Sequence, residues 1–89
     1  MQVITRPRVL CVDDDEDSCE MLTTLLRLAL IEAKTVGTAV QALSSMKTDR
    51  FDLYVLDAWL PEIDGFELCR RMRSRPTPTL MIRMIPFRR

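Results

Sequence analysis

The chain has 89 residues, of which 47% are hydrophobic and 29% charged, and its 13 basic and 13 acidic side chains give no net charge. This composition suits one folded domain with an apolar core and argues against an intrinsically disordered chain. No apolar run approaches the roughly 18–20 residues of a membrane-spanning helix, and a chain without histidine has no imidazole metal ligand and no histidine-based catalytic triad.

The charges are divided unevenly along the chain. Residues 1–69 carry 6 basic and 13 acidic side chains (6 − 13 = −7), whereas residues 70–89 carry 7 arginines and no acid. A solvated helix face followed by exposed arginines accounts for the basic segment more simply than nucleic-acid or membrane contact, and we expect neither partner. Three cysteines without metal-type spacing predict reduced thiols in a cytoplasmic protein: Cys11, Cys19 and Cys69.

The first elements are a buried strand and a long amphipathic helix. Residues 8–12, Arg-Val-Leu-Cys-Val, predict the strand, which runs straight into five consecutive acids at 13–17. The helix is expected from about Glu16 to Leu30, because acids in its first turn offset the positive end of the helix dipole. Helical spacing predicts a core face of Leu22, Leu25, Leu26 and Ala29.

The middle of the chain alternates in the same way. Glu32–Val36 predicts a less apolar strand, placed at the edge of a sheet, and a helix is expected from about Ala39 to Lys47. The run Leu53–Asp57 predicts a central strand that is buried on both faces and ends at a carboxylate. The residues predicted to face the core from the second helix are Val40, Leu43 and Met46.

A third helix from about Phe66 to Arg73 and a last strand, Thr79–Ile85, complete the pattern. The order β-α-β-α-β-α-β predicts an α/β fold with a parallel sheet, right-handed crossovers and helices on both faces. In the third helix the inward residues are predicted to be Phe66, Cys69 and Met72, with Arg70, Arg71 and Arg73 outward.

Carboxylates follow two of these strands, Asp13 and Asp14 after the first and Asp57 at the end of the third. The carboxyl ends of parallel strands share one edge of the sheet, where ligands of open α/β sheets bind. Oxygen ligands of this kind suit Mg²⁺, which takes one or two carboxylates, a backbone carbonyl and waters. A carboxylate left partly free beside such a cation can attack a phosphoryl group.

The set of motifs resembles the receiver domain of two-component response regulators. The matching residues are Val12-Asp13-Asp14 after a hydrophobic strand, Asp57 some forty residues later, and the pattern Asp-x-x-x-Pro-x-x-Asp-Gly that runs from Asp57 to Gly65. The resemblance covers roughly residues 7–85. It implies a flavodoxin-like sheet of order 2-1-3-4, cut short after the fourth strand and third helix, in a single truncated domain 1–89.

The resemblance also implies a function. Asp57 would be the phospho-accepting nucleophile, fed by a phosphohistidine of a sensor histidine kinase or phosphotransfer protein, in a signalling module that is not an enzyme. Asp14 would bind Mg²⁺ directly and Asp13 mainly through water, with Asp57 and the backbone carbonyl of Trp59 as further ligands. At the end of the fourth strand Arg83 stands where the family usually has Ser or Thr, and the family's Lys at the end of a fifth strand has no counterpart.

Three alternatives accompany this hypothesis. The signature Asp13-x-Asp15 resembles that of haloacid-dehalogenase-type phosphatases, in which Asp13 would be the nucleophile. A calcium loop starting at Asp13 fails, because its sixth position is Ser18 and its twelfth is Thr24. The third is a signalling-deficient receiver remnant that acts only as an interaction module. A fourth strand left at the edge and a first helix left partly uncovered predict a homodimer or higher oligomer.

Overall fold

The computed structural model describes residues 6–57, 60, 65–72 and 77–82. Strands and helices alternate as expected from the sequence, and the four strands form one parallel sheet of order β2-β1-β3-β4. The predicted flavodoxin-like topology and the edge position of β2 are confirmed. The elements are β1 (Arg8–Val12), α1 (Glu16–Leu28), β2 (Glu32–Val36), α2 (Ala39–Thr48), β3 (Leu53–Asp57), α3 (Gly65–Met72) and β4 (Thr79–Ile82).

The main core lies between the sheet and the pair α2 and α3. Leu10 and Val12 of β1 and Tyr54 and Leu56 of β3 are buried on this face, since residues two apart on a strand point to the same side of the sheet. Burying a Leu side chain contributes about 1.5–3 kcal/mol, so these two central strands anchor the domain. The helix residues that join this core are Ala39, Ala42, Met46, Leu68 and Met72.

The opposite face of the sheet packs against α1. Its buried residues are Val9, Cys11 and Val55, and α1 covers them through the half-buried Leu22 and Leu26. Within the described part of the chain, one face of the sheet is therefore covered by two helices and the other by one. None of the described helices is long and apolar enough to cross a membrane.

Arg8 connects the starts of the two central strands. Its backbone N–H donates to Asp52 Oδ2 at 2.8 Å, and its guanidinium donates to the carbonyl of Arg50 at 3.1 Å. The same guanidinium lies 5.2 Å from the ring centroid of Phe51, within the range of a cation–π contact. These contacts set the register in which β3 begins beside β1.

The predicted core face of α2 was wrong in part. Val40 is 72% exposed, and the residues that contact the sheet include Ala39 and Ala42 instead. Alanine leaves room for the helix backbone to lie close to the sheet, and one residue turns the helix surface by about 100°. Leu43 and Met46 do contact the core, as expected.

The predicted core face of α1 was also too wide. Leu22 and Leu26 pack on the sheet, whereas Leu25 is 56% exposed and Ala29 is exposed as well. Helical spacing identifies apolar sides of a helix, but the position of the sheet decides which side is buried. The outer side of α1 therefore keeps large apolar side chains in contact with solvent.

On α3, the inward Cys69 and Met72 and the outward Arg70 and Arg71 are as predicted, and Arg70 and Arg71 both pair with Glu67. The side chain of Phe66 and all of Arg73 lie outside the described residues, as do residues 83–85 of the predicted last strand. The observed pairs support the interpretation of the first part of the basic segment as a solvated helix face.

Leu30 explains why α1 ends at Leu28 and not at the predicted Leu30. It has a φ of 61°, the left-handed conformation in which a helix commonly ends, and the N–H of Ile31 donates back to the carbonyl of Leu26 at 2.8 Å. Glycine is the usual residue here, because a Cβ in this conformation costs roughly 1–2 kcal/mol.

We expect Leu30→Gly to raise the free energy of unfolding by about 0.5–1 kcal/mol, since the relief of strain exceeds the added entropy of the unfolded chain. Urea denaturation checks this value. Ser44→Gly, at an exposed position inside α2, is the matched control and should lower the same free energy by a similar amount. A loss of stability in Leu30→Gly would contradict the prediction.

Candidate metal and phosphorylation site

The carboxyl ends of β1 and β3 bring together the three acids that the sequence singled out. Val12 pairs with Leu56, so the next residues, Asp13 and Asp57, are neighbours on the sheet edge. One carboxylate oxygen from each of Asp13, Asp14 and Asp57 lies within 4.8 Å of the other two. Asp13 and Asp57 are buried at 4% and 6% exposure, while Asp14 is exposed.

Asp13 is held firmly in this group. Its N–H donates to the carbonyl of Val36 at 3.1 Å, and its Oδ1 accepts the N–H of Asp15 at 2.9 Å. Its Oδ2 is buried and has no hydrogen-bond partner among the described residues. A buried carboxylate oxygen without a partner is costly, and a bound cation removes that cost.

The electrostatics of the site also favour a bound cation. Burial raises the pKa of Asp13 from 3.8 to about 6, and the negative charges of Asp57 and Asp14 add to the increase. The hydrogen bond from the N–H of Asp15 acts in the opposite direction but does not cancel it. Three carboxylates at this spacing repel each other, and a divalent cation would neutralise them. The donor set therefore fits a hard cation such as Mg²⁺.

The first turn of α1 supports the site. Asp15 caps the helix, because its Oδ2 accepts the N–H of Ser18 at 3.0 Å and the Ser18 hydroxyl at 2.6 Å. Cys19 donates its thiol hydrogen to the carbonyl of Asp13 at 3.2 Å. Burial, together with the charge of Asp13, raises the pKa of Cys19, which keeps the thiol protonated as a donor. These contacts hold the loop between β1 and α1 in place.

Sequence reasoning assigned no role at the site to Ser18 or Cys19. Asp15 carries a usable signal, since Asp just before a predicted helix is a preferred N-cap residue, whose side chain accepts the N–H of a residue two or three positions further on. No sequence pattern identifies the bond from Cys19 to Asp13, because it depends on how α1 returns over the strand end. A cleft of about 530 Å³ opens beside these residues, between α1 and the end of β2.

Part of the predicted site lies outside the described residues. The predicted residues outside are Trp59, whose carbonyl was expected to be a metal ligand, and Pro61, Asp64 and Arg83. Gly65 begins α3, one residue earlier than predicted.

Comparison with known proteins agrees with this geometry. The family model of the response regulator receiver domain matches residues 9–86. The DNA-binding response regulator MtrA of Mycobacterium tuberculosis is 41% identical over 69 residues, which cover 78% of this chain and 30% of MtrA. The alkaline phosphatase synthesis transcriptional regulatory protein PhoP of Bacillus subtilis is 34% identical over 77 residues, 84% of this chain and 32% of PhoP.

Solved structures give the same result. The chemotaxis response regulator CheY4 of Vibrio cholerae superposes with a TM-score of 0.82 at 32% identity, covering 86% of this chain and 68% of CheY4. A putative response regulator of Chloroflexus aurantiacus reaches 0.82 at 36% identity, covering 86% of this chain and 66% of that one. The chain spans about a third of the length of MtrA and PhoP. By its sequence, its sheet order and its matched residues, the chain belongs to the response regulator receiver domain family.

Proposed function

We propose that Asp57 accepts a phosphoryl group and that Asp13, Asp14 and Asp57 hold the Mg²⁺ this transfer requires. The observation that carries the proposal is the convergence of these three carboxylates within 4.8 Å, with Oδ2 of Asp13 buried and unpartnered among the described residues. An acid cluster that only capped a loop would have no need to bury a carboxylate oxygen without a donor.

The expected chemistry is a transfer between two nucleophiles. A carboxylate oxygen of Asp57 attacks the phosphorus of a phosphohistidine, a new P–O bond forms, and the P–N bond breaks with its electron pair going to the imidazole. Asp57, at the end of the central strand β3, has a fixed backbone position, so the attacking carboxylate is oriented in advance. Bound Mg²⁺ would screen the charge of the incoming phosphoryl group.

The donor that we propose is a sensor histidine kinase or a phosphotransfer protein, in keeping with the family. We also propose a homo-oligomer, supported by the apolar side chains on the outer side of α1. A cytoplasmic location is supported by the free thiols of Cys11, Cys19 and Cys69. The DNA binding named for MtrA belongs to a protein about three times as long and is not proposed for this chain.

Incubation of the chain with acetyl phosphate and Mg²⁺ tests the proposed function. We expect a phosphate adduct in the intact mass spectrum that hydroxylamine removes, as it does an acyl phosphate. The adduct should require Mg²⁺ and be lost when a chelator is added in excess. A chain that stays unmodified over hours, while remaining folded by circular dichroism, contradicts the proposal.

A second test concerns the metal alone. Trp59 is the single tryptophan and follows Asp57 by two residues, so its fluorescence is expected to change when millimolar Mg²⁺ binds. The double variant Asp14→Asn, Asp57→Asn should show no such change, because it loses two of the three carboxylates. Asp49→Asn, which removes an acid that is paired with Lys34 and lies outside the cluster, is the control and should respond like the wild type. An equal response in the double variant would contradict a site at these residues.

A further inference from the structure

A cleft of about 340 Å³ lies at the amino end of the sheet, opposite the edge that carries the acid cluster. Its walls come from the end of α2, the loop between α2 and β3, the start of β3 and Thr77 just before β4. Tyr54 lines the cleft, and Asp57 ends the same strand three residues later, which is roughly 10 Å away at the rise of a β-strand. The cleft is therefore a separate place from the metal and phosphorylation site.

The hydroxyl of Tyr54 faces this cleft. The side chain is 3% exposed and belongs to the core between the sheet and the pair α2 and α3. No described residue forms a hydrogen bond with the hydroxyl, and within the described part of the chain the only fully enclosed side-chain oxygen without a partner is Oδ2 of Asp13. The Tyr54 hydroxyl is therefore reached from the cleft. Buried tyrosine hydroxyls usually have a hydrogen-bond partner, so this one is a donor available to a ligand.

The charges that remain unpaired at the cleft are positive. Lys47 and Arg50 line it, and neither forms an ion pair with a residue that the structure describes. Asp49 also lines the cleft, but its Oδ2 lies 2.9 Å from Nζ of Lys34, which neutralises it. Two cations beside a neutralised acid favour an anion as the occupant.

The rest of the wall is apolar and held in place. The rings of Phe51 and Tyr54 meet edge to face with their centroids 6.1 Å apart, and the guanidinium of Arg8 lies 5.2 Å from the Phe51 centroid. The hydroxyl of Thr77 donates to the carbonyl of Phe51 at 3.3 Å, which ties the segment before β4 to the start of β3. Met46, buried at the end of α2, adds a thioether, a group that packs well against aromatic rings.

We propose that this cleft binds a small aromatic carboxylate. The carboxylate pairs with Lys47 and Arg50, and the aromatic ring packs against Met46 and Phe51. The Tyr54 hydroxyl donates to an oxygen of the ligand. Small-molecule sites have volumes of about 300–1,000 Å³, and this cleft is at the lower end of that range, so the ligand has one or two rings. The proposal needs neither Mg²⁺ nor the chemistry of Asp57, so it stands or fails apart from the proposed phosphotransfer.

Titration of the 89-residue chain with naphthoate, in the absence of Mg²⁺ and phosphodonor, is the first test. Amide chemical shifts in the NMR spectrum should change in a saturable way around Met46, Tyr54 and Thr77, with a dissociation constant on the order of 1 mM. Acetate and inorganic phosphate carry a charge without a ring and should bind at least about tenfold more weakly, because they leave the apolar wall uncovered. Shifts that are absent at tens of millimolar naphthoate, or equal affinity for inorganic phosphate, overturn the proposal.

Substitutions in the cleft test each contact. Lys47→Gln and Arg50→Gln should each raise the dissociation constant for naphthoate about three- to tenfold, since each removes one charged donor. Tyr54→Phe keeps the ring, loses the hydroxyl and should raise the constant by a similar factor. Arg27→Gln, which removes an exposed cation from α1 on the other face of the sheet, is the control and should bind like the wild type. Circular dichroism on every variant confirms folding.

The same titrations can contradict the assignment. Unchanged affinity in Tyr54→Phe, or in the double variant Lys47→Gln, Arg50→Gln, would show that naphthoate binds elsewhere. A loss of affinity in Arg27→Gln that matches the loss in the cleft variants would show that only the net charge of the chain matters. Either result overturns a site at Tyr54.

Discussion

Replacement of Asp57 with asparagine is expected to abolish acyl-phosphate formation, with a loss beyond about 10³-fold in rate. The amide has the shape of the carboxylate but cannot act as the nucleophile. Because asparagine matches aspartate in size and shape, the substitution should leave the fold intact even at this buried position at the end of β3. Hydroxylamine-labile phosphate, measured by intact mass after incubation with acetyl phosphate and Mg²⁺, gives the readout.

Asp13 and Asp14 separate this mechanism from one in which Asp13 is the nucleophile. Removal of one charge-stabilising group at a reacting centre typically lowers the rate by about 10²–10³, so Asp13→Asn and Asp14→Asn should each slow phosphorylation without moving the labelled residue. Peptide mapping should still place the phosphate on Asp57. Phosphate on Asp13, or an Asp57→Asn variant that is labelled at the wild-type rate, would show that the nucleophile is a different residue.

The metal-free protein is expected to be more stable near pH 5 than near pH 7.5, by on the order of 1 kcal/mol. The pKa of Asp13 is about 6 in the folded chain and 3.8 as its ordinary value, because burial and the neighbouring Asp57 and Asp14 disfavour its charged form. The folded state therefore holds this proton more tightly than the unfolded state. The stabilisation is fully present below pH 3.8 and is lost as the pH rises through 6.

The other carboxyl groups with shifted pKa values do not mask this difference in stability between pH 5 and pH 7.5. The pKa of Asp49 is lowered by its hydrogen bond from Lys34, and that of Glu67 by its hydrogen bonds from Arg70 and Arg71. Their contributions to the free energy of unfolding are present above the ordinary pKa values and are lost only as the pH falls through the lower pKa values of the folded state. These contributions therefore stay nearly constant between about pH 5 and 7.5.

Urea denaturation at the two pH values measures the difference. Asp13→Asn should remove most of the pH dependence and should unfold at a higher urea concentration than the wild type at the higher pH, since it no longer buries a charged carboxylate whose Oδ2 lacks a hydrogen-bond partner among the described residues. Millimolar Mg²⁺ should stabilise the wild type at the higher pH by binding the folded state, and should have little effect on this variant. A wild type more stable at the higher pH without metal would contradict the assignment to Asp13.

The sequence by itself determined the order of the elements and the three acids of the site. Apolar runs of five residues, each ending at a carboxylate or a turn, specify buried parallel strands such as Leu53–Asp57, and all four strands begin where expected. Parallel strands present their carboxyl ends at one edge, so the convergence of Asp13, Asp14 and Asp57 follows from topology alone. The structure differs from the sequence-based expectation at the end of α1, where Leu30 lies beyond the helix, and on the face of α2, where Val40 is exposed.

Only the tertiary structure decided which apolar side chains are buried and how Asp13 is supported. Leu22 and Leu25 have the same chemistry on one helix, yet Leu22 packs on the sheet and Leu25 lies mostly in solvent. The difference comes from the direction in which the sheet lies, which helical spacing does not contain. The thiol of Cys19 reaches the carbonyl of Asp13 for the same reason: six residues separate them in sequence, and the turn between strand and helix brings them to 3.2 Å.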